Sequence, residues 1–113
     1  GVRRLVDGGA VDFVNFDVSE GGGITDWRRA AALCYTASVR MAHHEEAQVA
    51  QHLLAAVTHG TYLECFADPD RDPVWQKMWL NRPAIKNGIA TVADEPGLGI
   101  ELDQKMIKKY RVA

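Results

Sequence analysis

A chain of 113 residues has room for one domain or part of one. It is 47% hydrophobic and 25% charged, an ordinary globular composition, and its formal net charge of −2 gives no support for nucleic acid as a partner. No run of about 18 apolar residues marks a membrane span. No signal-peptide pattern opens the chain, so a cytoplasmic protein is the default expectation. Cys34 and Cys65 lie in apolar surroundings without metal-ligand spacing and are expected to be reduced, buried thiols.

In chain order, Val2 to Val6 reads as the end of a helix that Gly8-Gly9 stops, so the chain is expected to be a fragment that opens inside an element. Val11 to Phe16 is a short buried strand. Gly21 to Gly23 form a loop, and Thr25 or Asp26 can cap the next helix. Trp27, Ala30, Ala31, Leu33, Cys34 and Ala37 recur at helical spacing and make one face of it apolar. Val39 to Ala42 is a second strand, with His43-His44 directly at its end. Glu46 to Val57 reads as a helix with Val49, Leu53, Ala56 and Val57 on one side, ended by His59-Gly60. Thr61 to Phe66 is a third strand that contains Glu64.

Strand, helix, strand, helix, strand is the order of parallel strands joined by crossovers. The texture changes after Asp68. DPDRDP over 68–73 is a breaker cluster, and Val74 to Leu80 reads as one or two helical turns. Asn87-Gly88 inside Ala84 to Val92 is a hairpin signal. Residues 94–99, DEPGLG, are a loop, and Asp103 can cap a helix from Gln104 to Tyr110. Three strands cannot close a barrel, which needs about 250 residues. The expected fold class is therefore α/β: about three strand–helix units from the C-terminal part of a (β/α) TIM-like barrel over 1–67, followed by an extension over 68–113.

Three ionisable groups stand at successive strand ends: Asp17, His44 and Glu64, separated by 27 and 20 residues. Neighbouring parallel strands lie about 4.8 Å apart, so groups at equivalent ends can meet. An Asp beside a His orients the ring and raises its basicity, and the His then moves a proton. A Glu kept protonated can donate to a developing oxyanion. Taken singly, each has a plain structural role: Asp17 as a turn or cap residue, His44 as a satisfied histidine, Glu64 as an ion-pair partner. Their shared position is what points to chemistry.

Other motifs carry less. HHEEAQ is not the zinc-protease pattern, because position 48 is Gln. SEGGGITD lacks the dinucleotide fingerprint, and its glycines fit a tight turn beside a substrate. His52 and His59 suit solvent-facing or capping roles. Trp75 and Trp79, at helical spacing, suit packing. Lys105, Lys108 and Lys109 read as a solvated helix face near a C-terminus.

FDVSEGGGITDW, the strand into MAHH, HLLAA, TYLE and DEPGLGIELD together resemble the C-terminal part of the enolase superfamily, nearest its mandelate racemase-like branch. The likeness runs from about Val11 to Tyr110. It implies a catalytic His–Asp dyad of His44 and Asp17, and it gives Glu64 the hydrogen bond to the substrate carboxylate. It implies strands six to eight of a modified barrel, with residues from about Asp68 returning to a capping domain. The implied chemistry is abstraction of the proton α to a carboxylate, with Mg²⁺ stabilising the enediolate. The substrate is then a small hydroxy or sugar acid, and the full-length enzyme is a homo-oligomer. The metal ligands and a second, lysine base come from earlier strands in that family, and no match to them lies here. The resemblance therefore implies that this chain alone holds no catalytic metal and turns nothing over.

Dehydration of a sugar acid is the favoured outcome, on frequency in the branch, with racemisation of a hydroxy acid as the alternative. Sister branches with lysines on both faces, which perform cycloisomerisation or dipeptide epimerisation, are a further alternative that the pairing of His44 with Asp17 argues against. From another class, the chain could be a non-catalytic α/β domain that binds a protein partner. Geometry separates the two: a shared pocket for Asp17, His44 and Glu64 supports the enzyme, and divergence into solvent removes it.

Overall fold

The computed structural model describes residues 1–66, 68, 70–71 and 76–112. The chain divides into two units, Gly1–Cys65 and Phe66–Ala113. In the first, helix α1 (Val2–Asp7) is followed by β1 (Phe13–Asn15), α2 (Gly23–Thr36), β2 (Arg40–His43), α3 (Ala47–Ala55) and β3 (Gly60–Leu63). The strands form one parallel sheet in the order β1-β2-β3. Val14 pairs with Met41 and Asn15 with Ala42, and His43 pairs with Leu63 beyond a register shift at Met41/Ala42.

Alternate residues of a strand point to opposite faces of a sheet. Val14 and Met41 join Val6, Trp27, Ala30, Ala31, Cys34 and Leu53 in the buried core. Phe13 and Tyr62, on the other face, are exposed, with ring centroids 5.7 Å apart. Burial raises the Cys34 thiol above its ordinary pKa and leaves it inert. Trp27 is 1% exposed and among the largest buried side chains. Trp27→Ala is expected to destabilise the unit by about 3–5 kcal/mol, read by urea unfolding. A change below about 1 kcal/mol would show that this core does not carry the fold.

Several boundaries differ from expectation. Neither Thr25 nor Asp26 caps α2. The helix begins earlier, at Gly23, behind Gly22, whose φ of 102° is left-handed and suits glycine. Asp26 instead sits in the first turn, where its charge complements the helix dipole, and pairs with Arg29 at 2.8 Å. Ala37 is the exposed C-cap and not a face residue. Helix α3 is shorter than expected, and its buried residues are Gln48, Ala50, Gln51 and Leu53, while Ala56 is exposed. Val49, Leu53 and Val57 pack on the core as expected, and Gln48 and Gln51 are buried as well, without an apolar signal in the sequence. Glu64 lies one residue past β3, although its N–H still donates to the His43 carbonyl at 3.0 Å. Cys65 corrects a further expectation. It is a free thiol as expected, but exposed, two residues past the end of β3.

In the second unit, β4 (Ala84–Lys86) and β5 (Ile89–Thr91) form the expected antiparallel hairpin. Asn87 and Gly88 take φ of 53° and 75°, as a type I′ turn requires. Helix α4 (Gln104–Tyr110) is capped as expected by Asp103, whose carboxylate accepts the N–H groups of Lys105 and Met106. Lys105, Lys108 and Lys109 are exposed. The helical reading of 74–80 reduces to Gln76 and Lys77 among the described residues, and Trp75 lies outside them.

Candidate active site

His43 is the last residue of β2 and His44 follows it, and the alternation of the strand separates the two. His43 has the parity of Met41 and is fully buried, 0% exposed. His44 has the parity of Ala42 and stands on the other face, its side chain 42% exposed. There it meets residues from both flanking strand ends. His44 Nδ1 lies 3.1 Å from Asp17 Oδ2, and His44 Nε2 lies 3.7 Å from Glu64 Oε2. The three expected residues therefore converge in one row, carboxylate–imidazole–carboxylate, beyond the ends of three parallel strands.

Asp17 is the fixed end of the row. Its side chain is only 12% exposed. Oδ1 accepts the Ser19 N–H at 2.8 Å, the Ser19 hydroxyl at 2.9 Å and the Glu20 N–H at 3.0 Å. This is an Asx-type turn that both ends the strand and aims Oδ2 at His44. Asp17 is thus a turn residue and a partner of the histidine at once. Ser19 had a sequence signal in that Asp-x-Ser spacing, which the pattern reading passed over. The Gly21 N–H donates to the Asp17 carbonyl at 2.9 Å, which tightens the loop.

The charges reinforce one another. Burial pushes the Asp17 carboxyl up, but the hydrogen bonds from Glu20, His44 and Ser19 outweigh it and hold the pKa below its ordinary 3.8. The Asp17 hydrogen bond pushes His44 above its ordinary 6.5; slight desolvation opposes this, and the charges of Glu64, Glu45 and Asp17 add to it. An ionised carboxylate can only accept, so Nδ1 carries the proton and Nε2 is the titrating edge. That edge faces Glu64, whose side chain is 41% exposed.

The remaining histidines stand apart from this row. His59 Nε2 donates to the Ala31 carbonyl at 3.0 Å and ties α2 to the start of β3. His52 lies within α3, partly buried.

Fold and site define a class: a parallel α/β sheet whose strand ends carry a hydrogen-bonded Asp–His pair with a Glu at the free ring edge. Residues 1–106 match the family described as enolase C-terminal domain-like, and the chain belongs to that family. A mandelate racemase/muconate lactonizing enzyme from a marine actinobacterium, solved in complex with magnesium, is 51% identical. It superposes with a TM-score of 0.92 over 100% of this chain and 32% of its own. L-Talarate dehydratase from Polaromonas sp. JS666, complexed with Mg and L-glucarate, is 27% identical with a TM-score of 0.82, over 95% of this chain and 28% of its own. A D-galactonate dehydratase family member from Streptomyces bingchenggensis is 31% identical over 96% of this chain and 27% of that protein. The chain thus spans about a third or less of the relatives it matches. Its fold is α/β, the C-terminal portion of the enolase-superfamily barrel.

Magnesium bound in two of these relatives does not fit the row seen here. Asp17 spends both oxygens on hydrogen bonds, and the His44 ring nitrogens face two carboxylates. A Mg²⁺ site needs several convergent oxygens with near-octahedral geometry. Among the described residues no group of three or more His, Cys, Asp or Glu is arranged to hold a metal. No helix among them is long and apolar enough to cross a membrane.

Proposed function

We propose that the protein carrying this chain is a sugar-acid dehydratase that works by removing the proton α to a carboxylate. The 3.1 Å contact between Asp17 and His44 Nδ1 carries this reading, because it leaves Nε2 as a poised proton acceptor on the open side. As imidazole, His44 takes the α-proton. The freed electron pair forms the enediolate, the β-hydroxyl leaves, and His44 as imidazolium returns the proton to it as water. Asp17 steadies the imidazolium. Glu64, at the free edge of the His44 ring, is placed to hydrogen-bond the substrate carboxylate. Sugar acids as substrates are supported by the names of the talarate and galactonate dehydratase relatives.

The whole protein needs more than this chain. We place residues 1–67 in a barrel closed by strands from outside it, and 68–113 against a capping domain. Mg²⁺ is held by residues outside this chain, the assembly is a homo-oligomer, and the compartment is the cytoplasm. Incubation of the full-length protein with a panel of aldonic and aldaric acids tests the reading. The expected product is a 2-keto-3-deoxy acid, seen by mass as loss of one water. Inversion at the α-carbon without loss of water would replace dehydration by racemisation. No reaction with any acid would favour the protein-binding reading.

A further inference from the structure

His43 takes no part in the proton transfer proposed above, yet it is the most deeply placed polar side chain near it. It is 0% exposed, on the core face of β2. Its Nδ1 lies 2.9 Å from the carbonyl oxygen of His44. A carbonyl can only accept, so Nδ1 carries the proton and His43 is the donor. Its Nε2 finds no hydrogen-bond partner among the described residues, so the ring's one hydrogen bond there is to the residue that carries the chemistry.

The backbone at this point requires holding. Glu45 and Glu46 follow His44 with φ of 48° and 50°, two successive non-glycine residues in the left-handed region. Such conformations are strained and persist only where their surroundings over-determine them. The Glu64 N–H fixes the His43 carbonyl at 3.0 Å on the strand side. On the turn side, the His43 ring fixes the next carbonyl, that of His44. A ring locked in the core thus anchors the peptide from which the left-handed turn departs, and the His44 side chain projects from that anchor toward Asp17.

We propose that His43 is a positioning residue whose Nδ1–H bond to the His44 carbonyl sets the backbone that aims the His44 ring at Asp17. The inference rests on the reading of His44 as the proton-transfer residue. Without the bond, the carbonyl is free to rotate with the turn, and His44 Nδ1 leaves the 3.1 Å contact. Misplacement of a catalytic group by about 1 Å costs on the order of a hundredfold in rate.

Three substitutions in the full-length protein separate this bond from simple packing. Asn places an amide N–H where Nδ1 stands, Gln places one nearer Nε2, and Phe fills the ring volume with neither. His43→Phe and His43→Gln are expected to lower kcat by about ten- to a hundredfold with KM unchanged, and His43→Asn to recover most of the loss. In the same variants, the His44 ring resonances, identified by their absence in His44→Asn, are followed against pH. With Phe or Gln, His44 titrates lower than in the wild type; with Asn it titrates as in the wild type. Wild-type titration and kcat in His43→Phe would overturn the proposal, as would recovery by Gln in place of Asn. If Phe fails to fold, Asn and Gln decide. If all three fail to fold, His43 is a packing residue and the proposal falls. A wild type that turns over no sugar acid would instead defeat the functional reading, and the His44 titrations would still decide the role of His43.

Discussion

His44→Asn is expected to lower turnover by about 10²–10⁴-fold while leaving the fold intact. The amide nitrogen of Asn falls where Nδ1 now stands, so the contact with Asp17 Oδ2 survives. What disappears is Nε2, the edge beside Glu64. The loss should appear in kcat, with KM nearly constant, because the side chain acts on the reacting proton and not on ground-state binding. Melting temperature measured alongside separates chemistry from stability. An unchanged kcat would remove His44 from the mechanism.

Asp17→Asn is expected to be as damaging for a different reason, a reversed tautomer. Three donors converge on Oδ1, from the Ser19 N–H, the Ser19 hydroxyl and the Glu20 N–H. They would hold the amide oxygen of Asn in that place, and its NH₂ would then face His44. An NH₂ can only donate, so Nδ1 must become the acceptor and the proton moves to Nε2. The neutral ring no longer offers a base at the substrate edge. Comparable changes in other carboxylate–histidine pairs cost about 10⁴ in kcat, and a loss on the order of 10³–10⁴ is expected here.

The same variant has a signature in stability against pH. His44 is raised in the fold, so its contribution is complete below its ordinary 6.5 and fades as pH rises through the raised value. Asp17 is lowered, so its contribution is present above its ordinary 3.8 and fades as pH falls through the lowered value. The gap in melting temperature between wild type and Asp17→Asn should be widest between 3.8 and 6.5 and should narrow on both sides. A gap that does not vary with pH would show that Asp17 acts only through its turn.

Alternation of strands and helices was legible because short apolar-rich runs and amphipathic helices carry different periods, although β1 and β3 keep one face open. The hairpin at Asn87-Gly88 and the cap at Asp103 were legible because each depends on one local interaction. Helix α3 was legible in part: Val49, Leu53 and Val57 pack on the core as their spacing implies, whereas Gln48 and Gln51 are buried without an apolar signal. The start of α2 was missed because glycine backbone geometry, not a side-chain cap, opens it. The different fates of His43 and His44 were within reach. Met41 belongs to an apolar core, and period two assigns His43 to the core side and His44 to the open one. The burial of Cys65 was misjudged because its apolar neighbours in sequence say nothing of what lies over a residue past a strand end.

The central claim is that His44, oriented by Asp17, moves a proton at the carbon α to a carboxylate. Exchange of that proton with solvent deuterium, followed by NMR on a sugar acid with full-length wild type and His44→Asn, tests it most directly. With the wild type, solvent deuterium at the α-carbon, or loss of the α-proton together with the β-hydroxyl, is expected; with His44→Asn either process is expected to slow by about 10²–10⁴-fold. Proton transfer by His44→Asn at the wild-type rate would contradict it.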